Sequence, residues 1–428
     1  MKKKTLACIA ALVAAGSASA QSSVTLFGVL DAAVSYYQTN SKYVNAFNPA
    51  NPALPVPHPD VRQSQWVLSS GNYTGSRVGF RGTEDLGGGL AASFWLEAGI
   101  ANDTGASLTP IGVAFNRRST VSLSGAFGEV RLGRDYTPTF WNDNVFDPFQ
   151  TVGVGAVAIS MLLGGAGSAG TIGNLVVNPN YVRASNSVSY FLPPDLGGFY
   201  GHVMYAFGEN TKYDPGTLTP PTPNTARTGR YAGARLGYAN GPLDVAAAYG
   251  SSVVGDDYFA GITKYLNTGN IAGSYDFGPA KLFGEYSHVE LQNDRKIQSP
   301  FAPSGDITIT GYLLGLTVPV GPGLIRASYS HLQADLKNVA QASPGVSVPD
   351  PKADKLALGY VHNLSKRTLL YATFGYTKNK NGAAIPPALP PNGNVGYLNP
   401  SVTDLLNQSA GYRADTGYGY DLGIRHVF

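Results

Sequence analysis

Histidines are the residues of this chain best suited to acid–base catalysis or metal binding, and their positions argue against both. They are His58, His202, His288, His331, His362 and His426, and they show no metal-ligand spacing. Ser287 precedes His288, and Ser330 precedes His331. Neighbours in a strand point to opposite faces, so neither pair can act as nucleophile and base. We therefore expect no metal site and no enzymatic activity.

A glycine pattern, Gly165-x-Gly167-x-x-Gly170, matches the letters of a dinucleotide-binding loop. Such a loop is followed by an amphipathic helix and by an acidic residue about 20 positions further on. The sequence provides neither feature. The match is interpreted as chance, and no cofactor is expected.

Arginines that alternate with apolar residues are a stronger signal. Arg77 and Arg81 lie on one face of a predicted strand, with Val78 and Phe80 on the other. The same period recurs at Phe94 and Leu96, at Leu236 and Tyr238, at Leu356, Leu358 and Tyr360, and at Tyr418, Tyr420, Leu422 and Ile424. One face is apolar and the other polar, which is typical of a lipid face and a water-filled lumen. A soluble β-sandwich also alternates, but it does not need successive long hairpins with interfacial tyrosines.

Tight-turn residues divide the chain into regular hairpins. Clusters of Gly, Pro, Asn and Asp occur at 84–89, 124–128, 193–198, 239–243, 276–280, 318–324 and 362–367. Eight longer polar segments lie between them, including 38–62, 210–227 and 379–399. Seven short turns alternating with eight long loops predict an all-β, transmembrane antiparallel β-barrel of about sixteen strands. The short turns are expected to be periplasmic and the long loops extracellular.

The first 20 residues have the composition of a signal peptide. Residues 2–4 are lysines, residues 6–15 are apolar, and residues 18–20 form an A-x-A cleavage site. Cleavage there leaves a barrel domain of residues 21–428. Cys8 is the only cysteine and leaves with the signal peptide, so the mature chain is expected to use neither disulfides nor Cys-bound metal.

The charge balance disfavours nucleic acid as a partner. The chain has 30 Lys and Arg residues against 27 Asp and Glu residues. Three of the lysines belong to the predicted signal peptide, so the mature chain is close to neutral. A nucleic-acid-binding protein normally has a large basic excess. Any charge effect must therefore be local.

The segment from Val152 to Val177 has no charged residue and is long enough to cross a membrane as a helix. Its seven glycines argue against such a helix, because each costs about 1 kcal/mol of helix propensity relative to alanine. The segment is interpreted as part of a long loop, with room for a short apolar helix inside it.

Several stretches together resemble the Gram-negative general porins, in particular their betaproteobacterial branch. They are QSSVTLFGVLD, SRVGFRGTEDLGGGL, FNRRSTVSLSGAFGEVRLGRD, GYVHNLSKRT and the terminal GIRHVF. The resemblance implies a homotrimer of sixteen-stranded barrels in the cell outer membrane. It also implies that the third loop, residues 135–181 here, folds into the lumen and narrows the pore.

The resemblance further implies a column of wall arginines that faces the inward loop. Its members would be Arg77, with Arg81 further along the same face, then Arg117 and Arg118, and finally Arg183. The two-residue period favours Arg118 as the lumenal member of its pair, because Val121 and Leu123 then face lipid. A one-residue bulge would exchange it with Arg117, so both remain candidates.

Acidic partners for these arginines are expected on the inward loop. Asp143 and Asp147 are the candidates for the opposite side of the constriction, and the alternative is that they are ordinary loop-turn carboxylates. The arginines could instead form salt bridges with Glu97 and Glu129 that only hold the wall together.

We expect a channel for passive diffusion of small hydrophilic solutes and ions, with a preference for anions. Charges that line a narrow water path with low-dielectric walls set ion preference even when the whole protein is neutral. A substrate-specific channel would need a continuous ladder of lumenal groups, and Trp95, Tyr136 and Trp141 are too few for one. A role of the long loops in adhesion would not exclude the pore. The expected partners are the permeating solutes, outer-membrane lipid and further copies of the chain.

Overall fold

The computed structural model of this protein describes residues 23–44, 59–107, 114–164, 176–213, 224–257, 261–295, 306–336, 349–388, 395–398 and 411–428. The predicted signal peptide lies outside the described residues, as do the dinucleotide-like glycines and parts of the long loops.

Sixteen strands form one closed barrel. They are β1 (Ser23–Val44), β2 (Val61–Ser70 and Arg77–Gly87), β3 (Leu90–Ala101), β4 (Arg118–Gly125), β5 (Gly128–Tyr136), β6 (Arg183–Phe191), β7 (Phe199–Ala206), β8 (Tyr231–Asn240), β9 (Leu243–Asp257), β10 (Ile262–Asp276), β11 (Lys281–Arg295), β12 (Ile307–Val320), β13 (Gly323–Asp335), β14 (Lys352–Asn363), β15 (Thr368–Lys380) and β16 (Gly411–Val427). A further pair of residues, Ala106–Ser107, forms a short hairpin with the end of β3.

Each strand is antiparallel to its neighbours, and the barrel closes where β1 pairs with β16, from Val29 opposite Val427 to Val44 opposite Gly411. Strand β2 is interrupted at residues 71–76. Its first part pairs with the long-loop half of β1, and its second part pairs with the start of β1. The predicted sixteen-stranded antiparallel barrel is confirmed, and the seven short connections fall at the predicted tight turns.

The two faces of the barrel follow the two-residue period. Leu358 and Leu422 are 57% and 54% exposed on the outer face, whereas Asp421, the neighbour of Leu422, is fully buried on the lumenal side. The alternation works because successive side chains of a strand point to opposite faces of the sheet. The apolar outer face suits lipid, and the inner face carries the polar groups.

The described part of the third long connection, residues 137–164 and 176–182, lies inside the barrel, as expected. It contains helix α1 (Pro138–Phe146), a single 3₁₀ turn at Gly153–Gly155 and helix α2 (Ala158–Leu163). Helix α1 packs against β7 to β11, the 3₁₀ turn packs against β14 to β16, and α2 packs against β13 and β14. The predicted short apolar helix within Val152–Val177 is therefore α2.

An apolar cluster occupies one side of the lumen, next to this inner loop. Ile159 and Leu162 of α2 pack with inward-facing residues of β10 to β14, and Ile385 of the loop after β15 joins them. The wall residues of the cluster are Leu266, Val289, Leu291, Ile307, Ile309, Leu313, Leu332, Ala334 and Ala353. The cluster displaces water from one side of the barrel interior, so the open space lies toward β2 to β6.

Candidate functional site

A cavity of about 690 Å³ lies between the inner loop and the wall formed by β2 to β6. Arg77 begins the second part of β2, Arg117 immediately precedes β4, and Arg183 begins β6. All three line the cavity, together with Tyr136 at the end of β5 and Trp141 of α1. The structure thus brings together arginines that are up to 106 positions apart in the sequence.

The interruption of β2 positions Arg77. The Asp31 carboxylate accepts hydrogen bonds from the backbone N–H groups of Tyr73 and Thr74, each at 2.7 Å. Gly71, which takes a φ of 82°, donates its N–H to the backbone oxygen of Asp31. Glycine adopts this left-handed conformation without the steric penalty of a Cβ atom. The segment therefore turns aside from the wall, and the strand resumes at Arg77.

Two of the arginines share one carboxylate. Arg117 donates from Nε to Glu97 Oε1 at 2.6 Å, and Arg77 Nε lies 3.7 Å from the same oxygen. The other oxygen of Glu97 accepts from Trp95 Nε1 at 3.1 Å. Glu97 is buried, so the bond network fixes the direction of both guanidinium groups. One negative charge cannot neutralise two positive ones, and the pair keeps an excess of positive charge.

Tyr136 joins the second and third arginines without adding charge. Its phenolic oxygen accepts from Arg117 at 2.9 Å and from Arg183 at 2.8 Å. The Arg183 guanidinium also stacks over the Tyr136 ring, 4.3 Å from its centroid. The tyrosine ring stacks in turn on Phe140 of α1. A neutral acceptor of this kind orients the arginines and leaves their positive charge in place.

Arg81 and Arg118 lie on the lumenal face but outside this cavity. Both guanidinium groups stack on Trp95, at 5.1 and 4.5 Å from the ring centroid. Arg118 Nε also lies 3.7 Å from Asp135. Arg117 and Arg118 thus both face the interior, because Arg117 precedes the strand and is not bound by its alternation.

The structure places Asp143 and Asp147 away from the cavity. Each is only 2% exposed. Asp143 accepts from the hydroxyl of Tyr181 at 2.5 Å and from the side-chain amide of Asn270 on β10. Asp147 accepts from the backbone N–H groups of Phe149 and Thr151, each at 2.9 Å, which is the loop-turn alternative. Burial raises the pKa of Asp147 to about 6.

Sequence reasoning named Tyr136 only as one of a few lumenal aromatic residues and did not predict its contacts with the arginines, and it missed Asp103. Tyr136 orients two arginines, and Asp103, in the connection between β3 and β4, is the one carboxylate among the described lining residues. Neither lies in a motif that indicates its role, because both act through contacts with residues distant in sequence. The arrangement of Tyr136 follows only from the packing of α1 against the wall.

A closed barrel in an apolar belt, narrowed by an internal loop and lined by charged groups, defines a channel for diffusion across a membrane. The model of the Gram-negative porin family matches residues 5–382, and the chain belongs to that family.

Known relatives are similar over most of the chain. Outer membrane porin protein 32 of Delftia acidovorans is 38% identical over 386 residues, which cover 90% of this chain and 92% of the relative. An outer membrane porin of Bordetella pertussis is 32% identical over 396 residues, covering 88% and 94%. The solved structure of an anion-selective porin from Comamonas acidovorans has a TM-score of 0.69 at 32% identity, covering 95% of this chain and 100% of that one. The chain is therefore an outer-membrane porin, and its relatives are channels rather than enzymes.

Proposed function

We propose that this channel passes small hydrophilic solutes and ions with a preference for anions, and that Arg77, Arg117 and Arg183 set the preference. The observation that supports the proposal is the charge of the cavity wall. Three arginines and one carboxylate, Asp103, are the charged groups among its described lining residues. The buried carboxylate of Glu97, behind the lining residues, neutralises the charge of one arginine. An anion that enters the cavity meets an excess of positive charge in a narrow space with low-dielectric walls.

The size of the effect is sufficient for selectivity. At a separation of about 8 Å and an effective dielectric constant near 20, one arginine attracts a monovalent anion by about 2 kcal/mol. Salt at about 0.15 M screens charges beyond about 8 Å, so only a constriction of this size keeps much of the attraction. The solved relative named as anion-selective has the same fold, which supports the proposal.

The ion preference is tested by the zero-current potential of the purified protein in planar bilayers under a KCl gradient. We expect the sign of an anion-preferring pore and a preference that weakens as the salt concentration rises, because ions screen the arginines. A cation-preferring or salt-independent potential would contradict the proposed role of the three arginines.

We also propose that the protein assembles as a homotrimer. Leu26 and Leu30 of β1 are 56% and 38% exposed on the outer face of the barrel, where a second copy could pack. We expect an SDS-resistant species at room temperature whose gel mobility changes on boiling, because the closed barrel has no free strand edge from which to unzip. Light scattering in mild detergent should give three chains per particle. A monomer in that measurement would exclude the trimer.

A further inference from the structure

One arginine inside the barrel is not part of the cavity wall described above. Arg425 lies near the end of β16 and is not among the described residues that line the cavity. Leu422 and Ile424 are exposed on the outer face, and Asp421 is buried on the lumenal side. The two-residue period of the strand therefore points Arg425 into the lumen.

The seam that closes the barrel places Arg425 beside Arg77. Strand β1 lies between β16 and β2, with Asp31 directly opposite Arg425 on one side and Val29 directly opposite Arg77 on the other. Neighbouring strands are about 4.8 Å apart, so the two arginines are about 10 Å apart across the sheet. Both point into the lumen, and their positive charges repel each other. Arg425 thus extends the charged wall from β2 across the seam to the last strand.

The guanidinium group of Arg425 is available to a ligand. Among the described residues it donates no hydrogen bond and forms no ion pair, and its Nε is buried without a partner. It lies over the ring of Tyr73, 5.8 Å from the centroid. In contrast, Arg117 and Arg183 each donate to the hydroxyl of Tyr136. Arg425 is partly exposed, so its remaining donors can bind a permeating anion.

The charged groups near Arg425 leave its positive charge facing the lumen. Asp31 attracts Arg425, but this carboxylate is fully buried. It already accepts from two backbone N–H groups in the interruption of β2 and from the hydroxyl of Tyr371 at 2.6 Å. The pair therefore has its negative end in the wall and its positive end toward water. Arg326 stacks on the same tyrosine ring as Arg425, but it is only 3% exposed and its charge is offset by Asp147.

Arg425 lies beyond the inner loop, toward the short turns. The 3₁₀ turn of that loop donates the backbone N–H of Val154 to Asp421 at 3.1 Å. Arg425 is four residues further along β16, which corresponds to about 13 Å of strand. Strand β16 ends at Val427, on the side of the short turns, which are expected to be periplasmic. An anion that has passed the inner loop from outside the cell therefore meets Arg425 next.

We propose that Arg425 is a further selectivity residue of the channel and that, together with Arg77, it forms a second binding position for small anions on the short-turn side of the inner loop. A guanidinium group stays positively charged and presents five N–H donors, a geometry that suits carboxylate and phosphate groups. This inference rests on the proposed preference for anions and extends it to a residue of the last strand.

The test changes the charge at position 425 in the purified mature porin. Arg425→Cys should lower the anion-to-cation permeability ratio at 0.1 M KCl about threefold, because one positive charge beside the passage is lost. Cys8, the only cysteine of the chain, is in the predicted signal peptide, so methanethiosulfonate reagents modify the introduced thiol alone. The trimethylammonium reagent should restore the ratio, and the sulfonate reagent should lower it further. A thiol that is not modified, or a ratio that responds to neither reagent, would overturn the proposal.

Ile424→Cys is the matched control. Ile424 is the chain neighbour of Arg425 and is exposed on the outer face, toward lipid. Neither reagent should change the permeability ratio of this variant. The same response in both cysteine variants would show that the effect does not arise in the lumen, which would overturn the proposal.

Two further variants separate charge from packing, and they keep the test valid if Arg425→Cys does not fold. Arg425→Lys keeps the positive charge but loses the planar group over Tyr73, so its permeability ratio should equal that of the unchanged protein. Arg425→Gln should show the fall of about threefold. An equal fall in both variants would assign Arg425 to the positioning of Tyr73, and its role in selectivity would be wrong.

The unchanged protein separates this inference from the proposed function. A cation-preferring unchanged channel would contradict both. An anion-preferring channel whose permeability ratio does not depend on the charge at position 425 would overturn this inference alone.

Discussion

Arg77→Glu should move the zero-current potential strongly toward cations. The substitution replaces one of three positive charges on the cavity wall with a negative one, next to the buried Glu97. Reversal of one charge at about 8 Å changes the energy of a passing ion by a few kcal/mol before screening, so we expect the anion-to-cation permeability ratio at 0.1 M KCl to fall at least about tenfold. At 1 M KCl the change should shrink, because the Debye length is then about 3 Å.

Arg81→Glu is the matched control for this experiment. It reverses the same charge on the same strand, about 13 Å further along and outside the cavity. Its guanidinium stacks on Phe27 and Trp95 instead. We expect a much smaller shift in the potential. If Arg77→Glu gave an open pore with an unchanged potential at 0.1 M KCl, Arg77 would only hold the wall together through Glu97.

Deletion of Phe428 should prevent assembly of the barrel in the membrane while leaving secretion intact. Phe428 exchanges two backbone hydrogen bonds of 3.0 Å with Gly28, at the seam between the first and last strands. Its ring also covers Gly28 so closely that a Cβ atom there would lie 2.2 Å from it. Loss of both contacts leaves β1 with unpaired backbone groups at the point of closure, and such groups are costly in lipid.

The heat-dependent gel mobility of the outer-membrane fraction measures this result. The truncated chain should give no folded species. Phe428→Leu keeps the backbone bonds and an apolar side chain, so it should assemble at a reduced level. Normal amounts of folded protein from the truncated chain would show that closure does not depend on this residue.

The strands and turns of this fold were predictable because their signals are local. The two-residue period around Phe80 or Leu422 needs no partner to be recognised, and each tight turn contains its own Gly, Pro, Asn or Asp residues. The count of sixteen strands followed from the alternation of short and long connections. The break in β2 was not predictable, because it depends on Asp31, about 40 positions earlier in the chain.

The cavity was predictable only in part. Arg77, Arg117 and Arg183 were candidates from alternation and resemblance, and all three line it. Asp143 and Asp147 were expected to face them, yet they are buried in contacts that hold the inner loop. A loop carboxylate in a sequence does not indicate whether it will meet water or a buried donor. That outcome depends on how the loop packs, as with Asp143 against Asn270 of β10.

Because of the apolar cluster around α2, the width of the pore is not set by the circumference of the barrel alone. Sixteen strands fix the circumference, but Ile159, Leu162 and their wall neighbours occupy one side of the interior, so solutes travel off the central axis and close to the arginines. Replacement of a leucine in this cluster by a smaller or larger apolar residue would change the size limit for permeating solutes and leave every charged residue in place. Substitutions in the cluster can thus change the size limit for solutes, and substitutions of the arginines can change the ion preference, each without affecting the other.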